Sequence, residues 1–157
     1  MKAARARGRL VPGRSRTVLV EAVDGGADPR LPEKATPGAA CFDLRSAESV
    51  ELRPGVVTLV RTGLKVRTPK GTFLEVRPRS GLGAKGVLMA NAPGTIDSDY
   101  AGEVRVPLTC LRADGYRIEV GDRIAQVRLV AEVPTAFRKG RVVAVAGRAG
   151  GFGSTGR

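Results

Sequence analysis

Asp97 and Tyr100 stand three residues apart in the polar stretch Asp97-Ser-Asp-Tyr-Ala-Gly102, inside the longer run Asn91 to Cys110. A carboxylate there is a candidate general base, and the ring beside it a candidate surface for a flat or sugar-like group. The chain has no histidine, which removes Ser-His-Asp and Cys-His nucleophilic machinery. Proton handling is left to a carboxylate, a lysine or a tyrosine. A second candidate is the glycine-rich run Arg77-Pro-Arg-Ser-Gly-Leu-Gly-Ala-Lys-Gly86. Its cations, the Ser80 hydroxyl and its backbone amides suit phosphate oxygens. Asp43, between Phe42 and Leu44 on an expected strand, suggests a structural hydrogen-bond network, with a metal or substrate as the other use. Gln126 reads as a polar residue on a wet strand face. The last residues, Gly150 to Arg157, read either as a flexible tail or, through Phe152, Ser154 and Thr155, as a lid over a base and its phosphates.

Two literal motif matches fail on context. Gly81-Leu-Gly-Ala-Lys-Gly86 and Gly151-Phe-Gly-Ser-Thr-Gly156 both fit the dinucleotide fingerprint. That fingerprint must open a helix. After the first comes a short apolar run, Val87 to Ala90, stopped by Pro93, and after the second one residue remains. No Gly-Lys pair occurs, so there is no Walker loop.

The elements that must position these residues read as strands. Val104, Val106, Leu108 and Cys110 alternate with Glu103, Arg105 and Thr109, which predicts a hairpin with Asp97 to Gly102 at its tip, one face buried and one wet. Strands are also expected at Leu19 to Val23, Phe42 to Leu44, from Val50, Val56 to Val60, Leu64 to Val66, Thr72 to Val76, Ile118 to Val120, Arg123 to Val130 and Val142 to Val145, separated by Pro-Gly and Gly-Asp turns. No segment shows a helical period beyond a turn or so. Short strands at this spacing predict an all-β sandwich, barrel or jelly roll.

With 157 residues and 42% hydrophobic content, one globular domain accounts for the chain. The formal charge is +12, but residues 1–16 hold six of the basic residues and no acid, so the remainder carries +6. The first 16 residues are read as a solvated, disordered basic tail, with nucleic-acid attraction as its second use. The +6 body favours an anionic ligand. No run is long and apolar enough to span a membrane, and the Arg-rich start lacks the apolar core of a secretory signal. A cytoplasmic protein is expected.

Taken in order, five stretches resemble the trimeric deoxyuridine triphosphatase (dUTPase) family: Gly38 to Leu44, Pro78 to Gly86, Asn91 to Glu103, Gly121 to Gln126 and Gly150 to Gly156. The resemblance implies a distorted jelly-roll, β-clip type subunit over 17–146. It also implies a C-terminal arm over 147–157 that closes the site, and a homotrimer with active sites shared between subunits. It implies Mg2+-assisted hydrolysis of dUTP to dUMP and pyrophosphate, with attack of an Asp97-activated water on the α-phosphate, limiting uracil in DNA and supplying dUMP for dTMP synthesis. By the same carry-over Tyr100 packs on the deoxyribose, and Asn91 with the backbone of Gly94, Thr95 and Ile96 reads uracil. Arg79, Ser80, Gly81 and Gln126 hold phosphates and water, and Asp43 supports the outer shell of the metal. Phe152, Ser154 and Thr155 close the site.

The physics is consistent with those roles. The pairing edge of uracil offers acceptor, donor, acceptor, which an extended backbone can match, whereas cytosine leaves buried groups unpaired and is rejected by roughly 10⁴ to 10⁵. An aspartate is a weak base, so most of the rate must come from positioning and from cations meeting phosphate charge. Three departures stand out: Cys41 replaces a usual glycine, the loop after Ser80 is one residue short at Lys85-Gly86, and Gly147 stands where the family has an arm arginine, with Arg148 one place on. Arg148 is expected to take over that role. The alternatives are a dCTP deaminase or bifunctional relative on the same fold, and a non-catalytic β domain that binds nucleic acid through the basic tail. With four Phe, two Tyr and no Trp, a base-stacking platform is poorly supplied.

Overall fold

A computed structural model describes residues 16–23 and 30–143. Within them the strands run β1 (Leu19–Ala22), β2 (Phe42–Arg45), β3 (Val50–Leu52), β4 (Thr58–Arg61), β5 (Leu64–Arg67) and β6 (Thr72–Arg77). A single helical turn, α1 (Ser80–Gly83), precedes β7 (Val87–Met89), β8 (Gly94–Ile96), β9 (Arg105–Cys110), β10 (Tyr116–Ile118) and β11 (Arg123–Ala131). They form small antiparallel sheets ordered β2-β11-β6-β8, β4-β9-β7, β1-β5 and β10-β3. The all-β architecture expected from the strand spacing is the one observed, in keeping with the jelly-roll form that the resemblance implies.

Alternation explains the shared core. In β6 Thr72, Leu74 and Val76 point inward, and in β9 Val106, Leu108 and Cys110 do the same. Leu52, Val60, Val106, Cys110 and Ile118 are fully enclosed. Each such aliphatic side chain contributes about 1.5–3 kcal/mol by leaving water. Turns that need positive φ fall on glycine, as at Gly63 between β4 and β5 and Gly71 between β5 and β6.

Two expectations are corrected. The segment before Asp97 and the strand after it do not pair with each other: β8 joins β6, with Ile96 opposite Leu74 and Gly94 opposite Val76, whereas β9 lies between β4 and β7. β9 therefore has β4 and β7 as its neighbours, and residues 97–104 cross from one sheet to another. Alternation identified the buried face of β9 but carries no information on which strand lies beside it. The one helical turn in the glycine-rich run, α1, anchored by buried Leu82, agrees with the expectation of no helical period beyond a turn or so, and its four residues are too few for the dinucleotide fold. Of the strand expected at Val142 to Val145, Val142 and Val143 are exposed and carry no strand, and residues 144 and 145 lie outside the described residues. From Val133 on, the described chain leaves the body, with Phe137 98% exposed.

Candidate active site

The strand order brings three expected site residues together. Asp43 of β2 stands opposite Gln126 of β11, and Gln126 in turn stands opposite Arg77 of β6. Gln126 Nε2 donates to Asp43 Oδ1 at 3.2 Å, and Arg123 Nη1 donates to Oδ2 at 3.2 Å. Arg79 Nε lies 3.3 Å from Oδ1, an ion-pair contact too poorly aligned for a hydrogen bond. Arg79 Nη1 donates to the Arg123 carbonyl at 2.8 Å. Asp43 is 5% exposed, so the three side chains offset what an isolated buried carboxylate would cost.

A register shift makes this convergence possible. Residues 123 and 126 would project to opposite faces of a regular strand. Between Arg123 and Ala125 the pairing with β2 slips, so Ile124 and Ala125 are both buried. The extra residue turns Arg123 and Gln126 to the same side, toward Asp43. Arg123 was not singled out from the sequence, where nothing marks a bulge.

Arg79 leaves β6 in an extended conformation, φ −98° and ψ 131°, just ahead of α1. Its carbonyl accepts from the Leu82 and Gly83 amides. Ser80 and Gly81 are exposed and begin the turn, where first amides lack intrahelical partners.

Asp97 and Tyr100 lie elsewhere. Ile96 is opposite Leu74, three residues along β6 from Arg77, so the Asp97 end of β8 is displaced about 10 Å along the sheet from the Arg77 end. Asp97 is exposed, and its carbonyl accepts from the Tyr100 amide at 3.2 Å. Tyr100 is 43% exposed, and its Oη donates to the Glu103 carbonyl at 3.0 Å. The ring passes over Gly102, where a Cβ would collide with Oη and lie 2.6 Å from Cζ. At the near end of β8, Gly94 is buried, and a Cβ there would meet Asn91 Nδ2 at 3.2 Å and Met89 Cε at 3.3 Å. Asn91 thus folds over a glycine floor, with exposed Thr95 and half-buried Ile96 next along the strand.

Glu103 was expected on the wet face. Its side chain is instead 7% exposed. Burial pushes the Glu103 carboxyl up, but the Gly63 amide and the Arg61 and Arg105 guanidinium groups outweigh it and hold the acid below its ordinary range. Arg148, Phe152, Ser154 and Thr155 lie outside the described residues, as do residues 1–15 of the basic tail. Among the described residues no group of three or more His, Cys, Asp or Glu is placed to hold a metal ion, and no helix is long and apolar enough to cross a membrane.

Comparison with known proteins bears on this arrangement. The dUTPase family profile matches residues 28–156. The deoxyuridine 5'-triphosphate nucleotidohydrolase of Chlamydia pneumoniae is 46% identical over 145 residues, covering 89% of this chain and 98% of that protein. Among solved structures, the Staphylococcus bacteriophage 80alpha dUTPase with dUPNHPP superposes with a TM-score of 0.76 at 26% identity, covering 90% of this chain and 99% of that one. The dUTPase of phage phi11 of S. aureus, at 22% identity and TM-score 0.71 over 80% of this chain and 97% of that one, has a structure described as showing coordination of a structural Mg(II) ion. A profile match over most of the chain and a relative at this identity and coverage leave one assignment: the chain belongs to the dUTPase family.

Proposed function

We propose that this protein hydrolyses dUTP to dUMP and pyrophosphate at sites completed between the subunits of a homotrimer. The observation that carries this reading is the separation within one subunit. The Asp43, Arg79 and Gln126 cluster and the Asp97 and Tyr100 tip sit toward opposite ends of the same sheet, as the pairing of β8 with β6 dictates. A neighbouring copy supplies the missing half. Two surfaces support assembly. The outer face of β4, β9 and β7 exposes Leu59 and Leu88 beside Pro107 and Thr109, and the Thr109 hydroxyl is buried without a hydrogen-bond partner. The segment after β11 exposes Val133, Phe137 and Val142. Apolar surface of this kind is what a subunit interface covers.

Each residue then has a task its setting suits. Asp97 takes the proton of the attacking water, which adds to the α-phosphate as pyrophosphate leaves. Asn91, over the floor of Gly94, and the backbone of Thr95 and Ile96 read the uracil edge. The Tyr100 ring packs on the sugar and leaves no room for a 2'-hydroxyl. Arg79, Ser80, Gly81 and Gln126 hold phosphates and water. Asp43 fixes Arg79 and Gln126 before substrate arrives, so less ordering is required at binding. The arm over 147–157 closes the site through Phe152, Ser154 and Thr155, with Arg148 reaching the terminal phosphate.

The donors near Asp43 fit magnesium only indirectly, because its carboxylate is already shared among Arg79, Arg123 and Gln126. A hard cation brought in by the triphosphate and keeping its waters suits this set. Arg79, Ser80 and Gln126 would place the phosphates that hold it, and Asp43 would face its water shell. Bound magnesium would neutralise phosphate charge as the transition state develops. We assign the enzyme to the cytoplasm, where it would limit uracil in DNA and supply dUMP for dTMP synthesis.

Pyrophosphate release measured across dUTP, dTTP, dCTP and UTP, with and without magnesium, tests the assignment. Turnover of dUTP far above the others is expected. Ammonia release from dCTP, or no turnover of any, would overturn it.

A further inference from the structure

The Glu103 carboxylate has no role in the reading above, yet it is among the most heavily engaged acids in the described structure. Its Oε1 accepts from the Gly63 amide at 2.9 Å. Arg61 Nε stands 3.2 Å from both carboxylate oxygens, and Arg105 Nε donates to Oε2 at 3.1 Å. These partners come from β4, from the tight turn between β4 and β5, where Gly63 has φ +70°, and from β9. Glu103 therefore clamps the crossing segment 97–104 to the sheet that carries β4 and β9. The next residue repeats the fastening, since the Val104 amide donates to the Leu64 carbonyl at 2.8 Å and Thr62 Oγ1 donates to the Val104 carbonyl at 2.6 Å.

The other side of residue 103 faces the ring. Its carbonyl is the acceptor for Tyr100 Oη. A side chain that is 43% exposed and crosses a bare glycine has little packing to fix its direction. Beside it opens a cleft of about 520 Å³ lined by Tyr100, Ala101, Glu21, Lys65 and Arg67 among others, so an unfastened ring has space to swing into. We propose that Glu103 is a positioning residue that fixes the Tyr100 ring and, through it, the discrimination between deoxyribose and ribose. The second half of this inference rests on the proposed packing of Tyr100 against the sugar. The first half rests on the clamp alone.

Two measurements separate the halves. The chain has no tryptophan and two tyrosines, so in a Tyr116→Phe background the phenol fluorescence belongs to Tyr100. Glu103→Ala in that background should lower the Tyr100 anisotropy of the ligand-free protein. Glu103→Gln, which keeps an acceptor for Gly63 but loses the charge, should give a smaller fall, and it decides the matter if the alanine variant does not fold. Unchanged anisotropy in a folded variant overturns the clamp. The second measurement is kcat/KM for UTP relative to dUTP. Tyr100→Ala should raise that ratio about tenfold, Glu103→Ala should raise it in the same direction, and the double variant should match Tyr100→Ala alone, because one acts through the other. Additive changes in the double variant would assign Glu103 to general stability. If Tyr100→Ala leaves the ratio unchanged while Glu103→Ala still frees the ring, the sugar reading of Tyr100 fails and the clamp stands.

Discussion

Asp43 and Asp97 lie toward opposite ends of one sheet, and they are held in opposite ways. Asp43 is 5% exposed and shared by Arg123 and Gln126 of β11 and by Arg79 between β6 and α1. Asp97 is exposed on the crossing between sheets, fastened through its neighbours Tyr100 and Glu103. A base needs an open face toward water and substrate, whereas a residue that orders cations needs every lone pair directed. Burial and saturation suit Asp43 to the organising role proposed for it, and exposure suits Asp97 to the proposed role of base.

The contrast breaks most sharply at Asp97. Asp97→Asn keeps the shape of the crossing and removes the proposed base, so kcat for dUTP should fall by about 10² to 10⁴ while dUTP binding and the urea unfolding midpoint stay near those of the parent. Substantial turnover in a folded Asp97→Asn enzyme would remove its role. Asp43→Ala should behave in the other way. It strands two guanidinium groups and an amide, and should cost about 1.5–3 kcal/mol of stability together with a weaker grip on phosphate, read as a rise in KM. If Asp43→Ala unfolds at the parent midpoint, the cluster contributes no stability and the comparison fails.

Gly102→Ala probes the tip more gently. The added methyl meets Tyr100 Oη and Cζ, so the ring must move aside. A loss of about tenfold in kcat/KM for dUTP is expected, with less loss for UTP because displacement opens room for the 2'-hydroxyl. Equal losses for both nucleotides would show that the ring does not sense the sugar.

These residues also show what a sequence discloses. The inward faces of β6 and β9 were legible because alternation is a local property, and so were Cys110 as a core residue and Asp43 as an acid in a polar network. The partner of β9 was not legible, since the signal that Val104 to Cys110 forms one wet and one dry face is the same whichever strand lies beside it. Arg123 was hidden for a related reason: a bulge moves it to the face of Gln126, and no residue type announces that slip. Glu103 was misread outright. Its place in the alternation predicts a solvated face, but the turn at Gly63 folds back over it and brings an amide and two guanidinium groups to its oxygens.

The smallest effect expected is a pH dependence of stability at Glu103. Burial raises the Glu103 pKa and its partners lower it, with the net result below the ordinary value of 4.5. The folded state therefore holds its charge at pH values where the unfolded chain has begun to take up a proton. Because the unfolded chain binds more protons in that interval, stability rises with pH across it. The contribution is complete above the ordinary value and is lost as pH falls through the lowered folded value. Glu103→Gln has no such proton to exchange, so its urea midpoint should lie below that of the parent at neutral pH, and the gap should close as pH falls below about 4.5. If the gap at Glu103 stays constant into acid, the clamp holds by shape and hydrogen bonding alone and the charge of the carboxylate adds nothing to it.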